Sequence, residues 1–376
     1  MSQWLTVADC KAVLQSLLSA ELSAYRGEAV SLWQAQPDID SLERLHLASC
    51  VNEFFCLYET GEEDRLLMTN SLDDWAALVA AATGVTSGLT FRTSGSTGNP
   101  VACVHRWQHI KAEVDALTQQ LGTLTPISRV ISWLPVHHLY GFMLGVALPA
   151  ITSIPRVYVA GAVLPALSKG DLLVSVPPRW DYLAKSARSW PEDVIGVCSA
   201  GRLSATTYDS LLNQGISGLL DIYGCTESGG VATRWQSNAP YQLLNHWQRS
   251  SSGHIQRISS GEVMPLQDQV HWKNERSFML EQRLDQVVSI GGVNVSLSYI
   301  TERLRSLKTV ADCIVRVTEH GTQTRLKAFV VPKVNKDETA KEITQTVALW
   351  PAAERPVNIT YGDAIPKNSL GKLTDW

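Results

Sequence analysis

Several familiar signals are missing from this sequence. No Gly-x-x-x-x-Gly-Lys-Ser/Thr string occurs, which excludes the Walker phosphate loop of kinases and GTPases. The 7 cysteines (Cys10, Cys50, Cys56, Cys103, Cys198, Cys225, Cys313) are scattered without Cys-x-x-Cys spacing. That pattern argues against a zinc site or a disulfide scaffold and fits reduced thiols. There is no basic excess: 32 Lys and Arg stand against 36 Asp and Glu, for a net charge of −4. No nucleic-acid partner is expected, and any phosphate site must be local. The longest apolar run, around residues 141–151, contains Pro149 and is far too short to span a membrane. The first residues lack the basic start and apolar core of a secretory signal, so a cytoplasmic protein is expected.

What remains is an ordinary globular composition. At 376 residues, with 45% hydrophobic and 18% charged residues, the chain is long enough for two or three domains with real cores. Apolar periodicity predicts helices in the first 80 residues, including 42–55 and a capped start at Ser71. Short buried strands are then expected at 85–91, 130–134, 156–159, 172–175 and 194–197, with helices at 107–121 and 180–189 between them. That alternation predicts an α/β fold with extensive parallel pairing. After about residue 285 the pattern changes to helix 297–307, strands 313–318 and 326–331, helix 338–349 and a strand near 357–361. The expected organisation is a large N-terminal domain, 1–284, of mainly parallel sheets and helices, followed by a small mobile α+β domain, 285–376.

Residues 92–100 read Arg-Thr-Ser-Gly-Ser-Thr-Gly-Asn-Pro. Gly95 and Gly98 permit positive φ, so successive N–H groups can converge on an anion. Thr93, Ser94, Ser96 and Thr97 add hydroxyl donors that can follow phosphate oxygens. A plain Ser/Gly linker has the same composition, so this stretch does not decide alone.

Five segments in order resemble the adenylate-forming (AMP-binding) superfamily of acyl- and aryl-CoA synthetases, luciferases and peptide-synthetase adenylation domains. Residues 93–100 match its phosphate loop, and Tyr223-Gly224-Cys225-Thr226-Glu227 its adenine and magnesium motif. Asp268 stands at the ribose-binding aspartate, and Arg283-Leu284-Asp285 followed by Gly291-Gly292 at the hinge motif. Residues 366–372, ending in Lys372, match the catalytic-lysine motif. Ser199-Ala200-Gly201 resembles the small-residue turn under the purine, and His138, with Tyr140 and Gly141 beside it, the acyl pocket. His137 leaves that register open by one residue.

The resemblance implies a compact ligase working in two steps. ATP and a small carboxylic acid give an acyl- or aryl-adenylate. A phosphopantetheine thiol, on CoA or an acyl carrier protein, then takes the acyl group. A carrier protein is slightly favoured because a trimmed chain resembles stand-alone loading enzymes. Tyr223, Asp268 and Arg283 would hold AMP, and Glu227 would hold Mg2+ as a hard oxygen ligand. Lys372 would offset charge as two anions meet, with Thr226 beside it in the catalytic set. Asp285 would be the pivot, and Gly291 and Gly292 would line the pantetheine tunnel.

Two departures stand out. Val101 replaces the lysine usual after the loop, with Arg92 or Arg106 as substitutes, and fewer than 95 residues precede the loop. They motivate an alternative: a degenerate relative that binds nucleotide without adenylating.

Overall fold

The computed structural model describes residues 4–32, 38–69, 71–93, 101–161, 163–186, 188–201, 203–283, 287–320, 323–366 and 376. Helix α1 (Val7–Arg26) opens on Thr6, whose hydroxyl accepts from the Asp9 N–H while Asp9 accepts from the Thr6 N–H. Helix α2 (Ser41–Phe55) repeats the device with Asp40 and Glu43. After the short α3 (Arg65–Met68), α4 (Leu72–Ala82) starts at Ser71, as its cap predicts.

Strands β1 (Gly88–Arg92) and β2 (Ala102–Arg106) form a hairpin flanking the hydroxyl-rich segment and run directly into α5 (Trp107–Leu121). The strand expected from residue 85 begins later because the N–H groups of Val85 and Thr86 both bond the Ala82 carbonyl and close α4. The chain continues through β3 (Arg129–Ser132), α6 (Leu139–Phe142) and α7 (Leu148–Thr152), joined by a wide helical turn over Met143–Ala147. Next come β4 (Arg156–Tyr158), β5 (Asp171–Ser175), α8 (Pro177–Lys185), β6 (Ile195–Cys198), α9 (Ala205–Asn213) and β7 (Gly218–Cys225). Helix α8 starts at Pro177, ahead of the Trp180 start read from the sequence, because proline suits the first helical turn.

Strands β4, β3, β5, β6 and β7 lie side by side and parallel, as the alternation predicts. Their residues are apolar on both faces: Val130 and Leu172 join the core under the N-terminal helices, Ile131 and Leu173 the core under α8 and α9. The sheet is mixed. From β7 it continues antiparallel through β8 (Gly229–Arg234) and β9 (Tyr241–Leu243). Strands β10 (Trp247–Ser251), β11 (His254–Arg257) and β12 (Val263–Pro265) form a separate antiparallel layer. The hairpin of β13 (Asp268–Asn274) and β14 (Ser277–Arg283), expected from residues 270–280, completes the nine-stranded sheet next to β9.

The last part begins with the hairpin β15 (Val287–Ile290) and β16 (Val293–Ser296), followed by α10 (Leu297–Arg305). Strands β17 (Val310–His320) and β18 (Gln323–Pro332), helix α11 (Lys336–Val347) and strand β19 (Pro356–Tyr361) follow. Ile290, Ile300, Leu304, Leu326, Val330 and Ile343 form a core of their own, distinct from the two above.

Candidate active site

Parallel neighbours finish at the same sheet edge, so the chain leaving β5, β6 and β7 emerges on one side, where α/β sheets bind ligands. From β6 come Ser199, Ala200 and Gly201, and from β7 come Tyr223 to Glu227. Ser199 Oγ donates to the Ile222 carbonyl at 2.8 Å and ties the turn after β6 to β7. Ala200 takes φ 63°, left-handed backbone that costs a non-glycine residue about 1–2 kcal/mol. Strain of that kind gathers at functional turns.

Tyr223 is half-buried, with its ring packed edge-on to Phe278 at 5.6 Å. Its hydroxyl donates to Asp268 Oδ2 at 2.9 Å. Asp268 lies directly across the β13–β14 ladder from Arg283. The fold thus brings three separate sequence positions, Tyr223, Asp268 and Arg283, to one patch. Gly224 closes the turn: a Cβ there would lie 2.1 Å from the Gly229 carbonyl oxygen, so no larger residue fits. Thr226 is half-buried and Glu227 exposed beyond it.

The β1–β2 hairpin that flanks the hydroxyl-rich segment reaches the same edge through a residue that sequence reasoning missed. His105, buried on β2, has Nε2 2.6 Å from the Thr226 carbonyl oxygen, so that nitrogen carries the donated proton. Burial pulls its imidazole down to about 4, keeping it neutral at physiological pH. Thr93 closes the neck of the loop: its N–H donates to Val101 O, and its Oγ1 accepts from Val101 N–H, both at 2.9 Å. That oxygen is therefore committed to the neck. Ser94, Gly95, Ser96, Thr97 and Gly98 lie outside the described residues, as do Asp285 and Lys372.

Of the two arginines named in place of the missing lysine, one sits beside the loop neck with its charge engaged and the other lies far along the hairpin. The Arg92 guanidinium is held by Glu53. Arg106 pairs with Gly88 at the far end of the hairpin, five residues from Val101 at the loop neck, or about 17 Å along a strand.

A buried polar cluster backs the Thr226–Gly230 turn. The Glu113 carboxylate lies against Gly229 and Gly230 and accepts from the Gly230 N–H. Burial nevertheless raises it to about 8, so it is largely protonated at neutral pH. Arg257 donates to Ser228 O at 3.2 Å and stacks on Trp247 at 4.2 Å. His246, also buried, is pulled down to about 3 by burial and by the Arg257 charge.

The two adjacent histidines have different surroundings. His137 Nδ1 meets Ser16 Oγ of α1 at 2.8 Å, whereas the His138 side chain is exposed. Desolvation by the surrounding protein still lowers the His138 imidazole below its ordinary value. Tyr140 donates to the Ser175 carbonyl at 3.0 Å at the end of β5. Gly141 is buried, and a Cβ there would lie 2.2 Å from the Pro135 carbonyl oxygen, so no larger residue fits.

The final hairpin touches this edge too. Gly291 and Gly292, with φ of 62° and 88°, form the two-residue turn between β15 and β16 that demands left-handed backbone at both positions. A Cβ on Gly292 would make ordinary contact with Val176, at 3.6 Å. Ser289 donates to the Ala200 carbonyl at 2.6 Å and covers Gly201.

Comparison with known proteins identifies the family. A family model described as AMP-binding enzyme matches residues 88–269. A 4-coumarate–CoA ligase of Halorhodospira halophila is 40% identical, over 99% of this chain and 100% of that one. This chain belongs to the AMP-binding, adenylate-forming enzymes. It is an ATP-dependent ligase that joins a carboxylic acid to a thiol.

A 4-coumarate–CoA ligase of Rhodobacter capsulatus is 32% identical over 90% of this chain and 89% of its own. A Bacillus anthracis 3,4-dihydroxybenzoate–[aryl-carrier protein] ligase is 22% identical over 75% of this chain and 71% of its own. Among solved structures, an o-succinylbenzoate CoA synthetase of Bacillus subtilis shares the fold, with a TM-score of 0.66 at 15% identity over 98% of this chain and 92% of that one. The compact length is shared with the Halorhodospira relative, and the degenerate alternative is not favoured. No helix among the described residues is long and apolar enough to cross a membrane.

Proposed function

We propose that this enzyme activates an aromatic acid of the hydroxycinnamate class and transfers its acyl group to CoA. The observation that carries the reading is the 40% identity over 99% of the chain to a 4-coumarate–CoA ligase, joined to the Tyr223–Asp268 pairing at the sheet edge. Two further relatives bearing that name, at 32% and 30% identity, favour CoA over a carrier protein, whose named ligase is 22% identical.

In the first step a carboxylate oxygen of the acid attacks the α-phosphorus of ATP, and the bond to the bridging oxygen breaks, releasing pyrophosphate. Such in-line displacement needs positioning and charge neutralisation more than covalent help. Tyr223 offers a ring face to adenine, Asp268 takes the ribose, and Arg283 adds a cationic contact to the nucleotide. The turn at Ala200-Gly201 underlies the purine. Hydroxyls and N–H groups of residues 94–98 hold the leaving phosphates, and Lys372 offsets charge where the acid and phosphate meet. His138 and Tyr140 border the acid pocket.

Mg2+ fits this donor set, because it commonly takes one or two carboxylates together with substrate phosphates, and Glu227 is an exposed carboxylate at the right edge. There it would neutralise phosphate charge.

In the second step the thiol sulfur attacks the adenylate carbonyl, AMP leaves, and the thiol proton passes to solvent. The separate core after residue 287 supports two domains, 1–284 and 285–376, turning about Asp285. The nearness of Gly292 to Val176, which a Cβ there would touch at 3.6 Å, supports a pantetheine path beside that turn. Free cysteines throughout fit a reducing cytoplasm.

Product mass spectrometry tests the reading, with hydroxycinnamic, benzoic and medium-chain acids offered with ATP and either CoA or a phosphopantetheinylated carrier. Hydroxycinnamoyl-CoA is the expected product. Exclusive transfer to the carrier, or exclusive use of aliphatic acids, would overturn the assignment.

A further inference from the structure

We propose that the N-terminal helices carry a site for a thiophilic divalent cation of the zinc class, formed by Glu21, His46 and Cys50. His46 and Cys50 are one helical turn apart on α2, and Glu21 faces them from α1. Their ligand atoms all lie within 4.8 Å of one another. Cys50 Sγ is 3.8 Å from His46 Nε2, and His46 Nε2 is 3.4 Å from Glu21 Oε2.

A tetrahedral ion with the usual zinc bond lengths sets sulfur–nitrogen and nitrogen–oxygen spans of roughly 3.5 and 3.4 Å. The side chains are therefore spaced for an ion with little rearrangement. The His46 ring is fixed by stacking on Tyr25 at 5.4 Å, which supplies orientation from outside the ligand set. Thiolate and imidazole donors select zinc over calcium or magnesium.

The charges also agree. A carboxylate and a thiolate balance a divalent ion, while the nearby Arg92 is already answered by Glu53. Binding converts the Cys50 thiol to thiolate and releases one proton to solvent. Glu21 and His46 remain 27% and 37% exposed, which leaves a fourth position for water. The site is thus of the open, exchangeable kind. The set joins two helices and carries no Cys-x-x-Cys spacing, so no local pattern announces it.

Cobalt titration of the reduced, chelator-stripped full chain tests the proposal. A sulfur-to-cobalt charge-transfer band and the visible bands of a tetrahedral site are expected, and zinc should displace both. Cys50→Ser should abolish the charge-transfer band, and His46→Ala should weaken cobalt binding at least about tenfold. Cys103→Ser, which alters another half-buried thiol, should leave the spectrum intact. Zinc should also raise the Tm of the wild type and leave that of Glu21→Gln unchanged, a readout that holds if Cys50→Ser folds poorly. Absence of the bands, or their persistence in Cys50→Ser, would mean that the three groups only hydrogen-bond one another and would overturn the site.

Discussion

Tyr223 donates a phenolic hydrogen bond to Asp268 Oδ2 at 2.9 Å, although the two residues are 45 positions apart. The bond fixes an aromatic face and a carboxylate in one orientation before any nucleotide arrives. Tyr223→Phe keeps the ring and loses the bond. ATP affinity should fall about fivefold, the worth of one ordinary hydrogen bond near 1 kcal/mol. Asp268→Ala removes a charge-assisted acceptor and should cost roughly tenfold to a hundredfold. Steady-state KM for ATP, with kcat followed alongside, checks both. Equal effects of the two substitutions would detach Asp268 from the nucleotide.

His105 ties the hairpin of the hydroxyl-rich loop to the Thr226 carbonyl, so His105→Ala should slow adenylation while changing KM for the acid little. The same residue gives the fold a pH dependence. Unfolded, its imidazole titrates near 6.5, and folded at about 4, so between those values the unfolded chain holds the extra proton. Its contribution is complete above about pH 6.5 and drains away as pH falls to 4, by on the order of 3 kcal/mol. Urea midpoints at pH 4.5 and 7 should therefore differ less in His105→Gln than in the wild type.

Glu113 acts in the opposite sense. Its folded carboxyl titrates at about 8 against an ordinary 4.5, so the folded chain holds the extra proton between those values. Stability from this group is full below about pH 4.5 and lost as pH rises through 8. Glu113→Gln keeps the shape without the proton. It should become more stable relative to wild type on moving from pH 5 to 8.5, as urea unfolding at the two pH values would reveal. A constant difference would remove Glu113 from the buried cluster.

The two half-reactions should separate at the last hairpin and the tail. Gly292→Trp should impair thioester formation more than adenylation, because the turn borders the thiol path. Gly291→Ala shares the strained positive φ without a nearby wall and serves as the control for strain. Lys372→Ala should abolish adenylation while leaving ATP binding nearly intact. Single-turnover assays of each half-reaction measure these splits.

Much of this was legible in the chain because it is local. Tyr223 to Glu227 sit on one strand end, and the bounds of α5 follow from periodicity alone. The supporting residues were illegible because their partners are remote. His105 meets Thr226 across 121 positions, and His137 turns to Ser16 across the same separation. Nothing local distinguishes buried Glu113 from a surface glutamate on an amphipathic helix. The antiparallel half of the large sheet was likewise only partly visible, through the β13–β14 hairpin, since pairing with β9 is decided by packing.

One sheet edge, carrying Tyr223 and Asp268, is proposed to adenylate an aromatic acid. ATP–pyrophosphate exchange driven by 4-hydroxycinnamate, in the absence of any thiol, tests it most directly. Exchange that depends on the acid and falls at least about tenfold in Asp268→Ala is the predicted result. Undiminished exchange in Asp268→Ala, or none with any aromatic acid despite ATP binding, would contradict it.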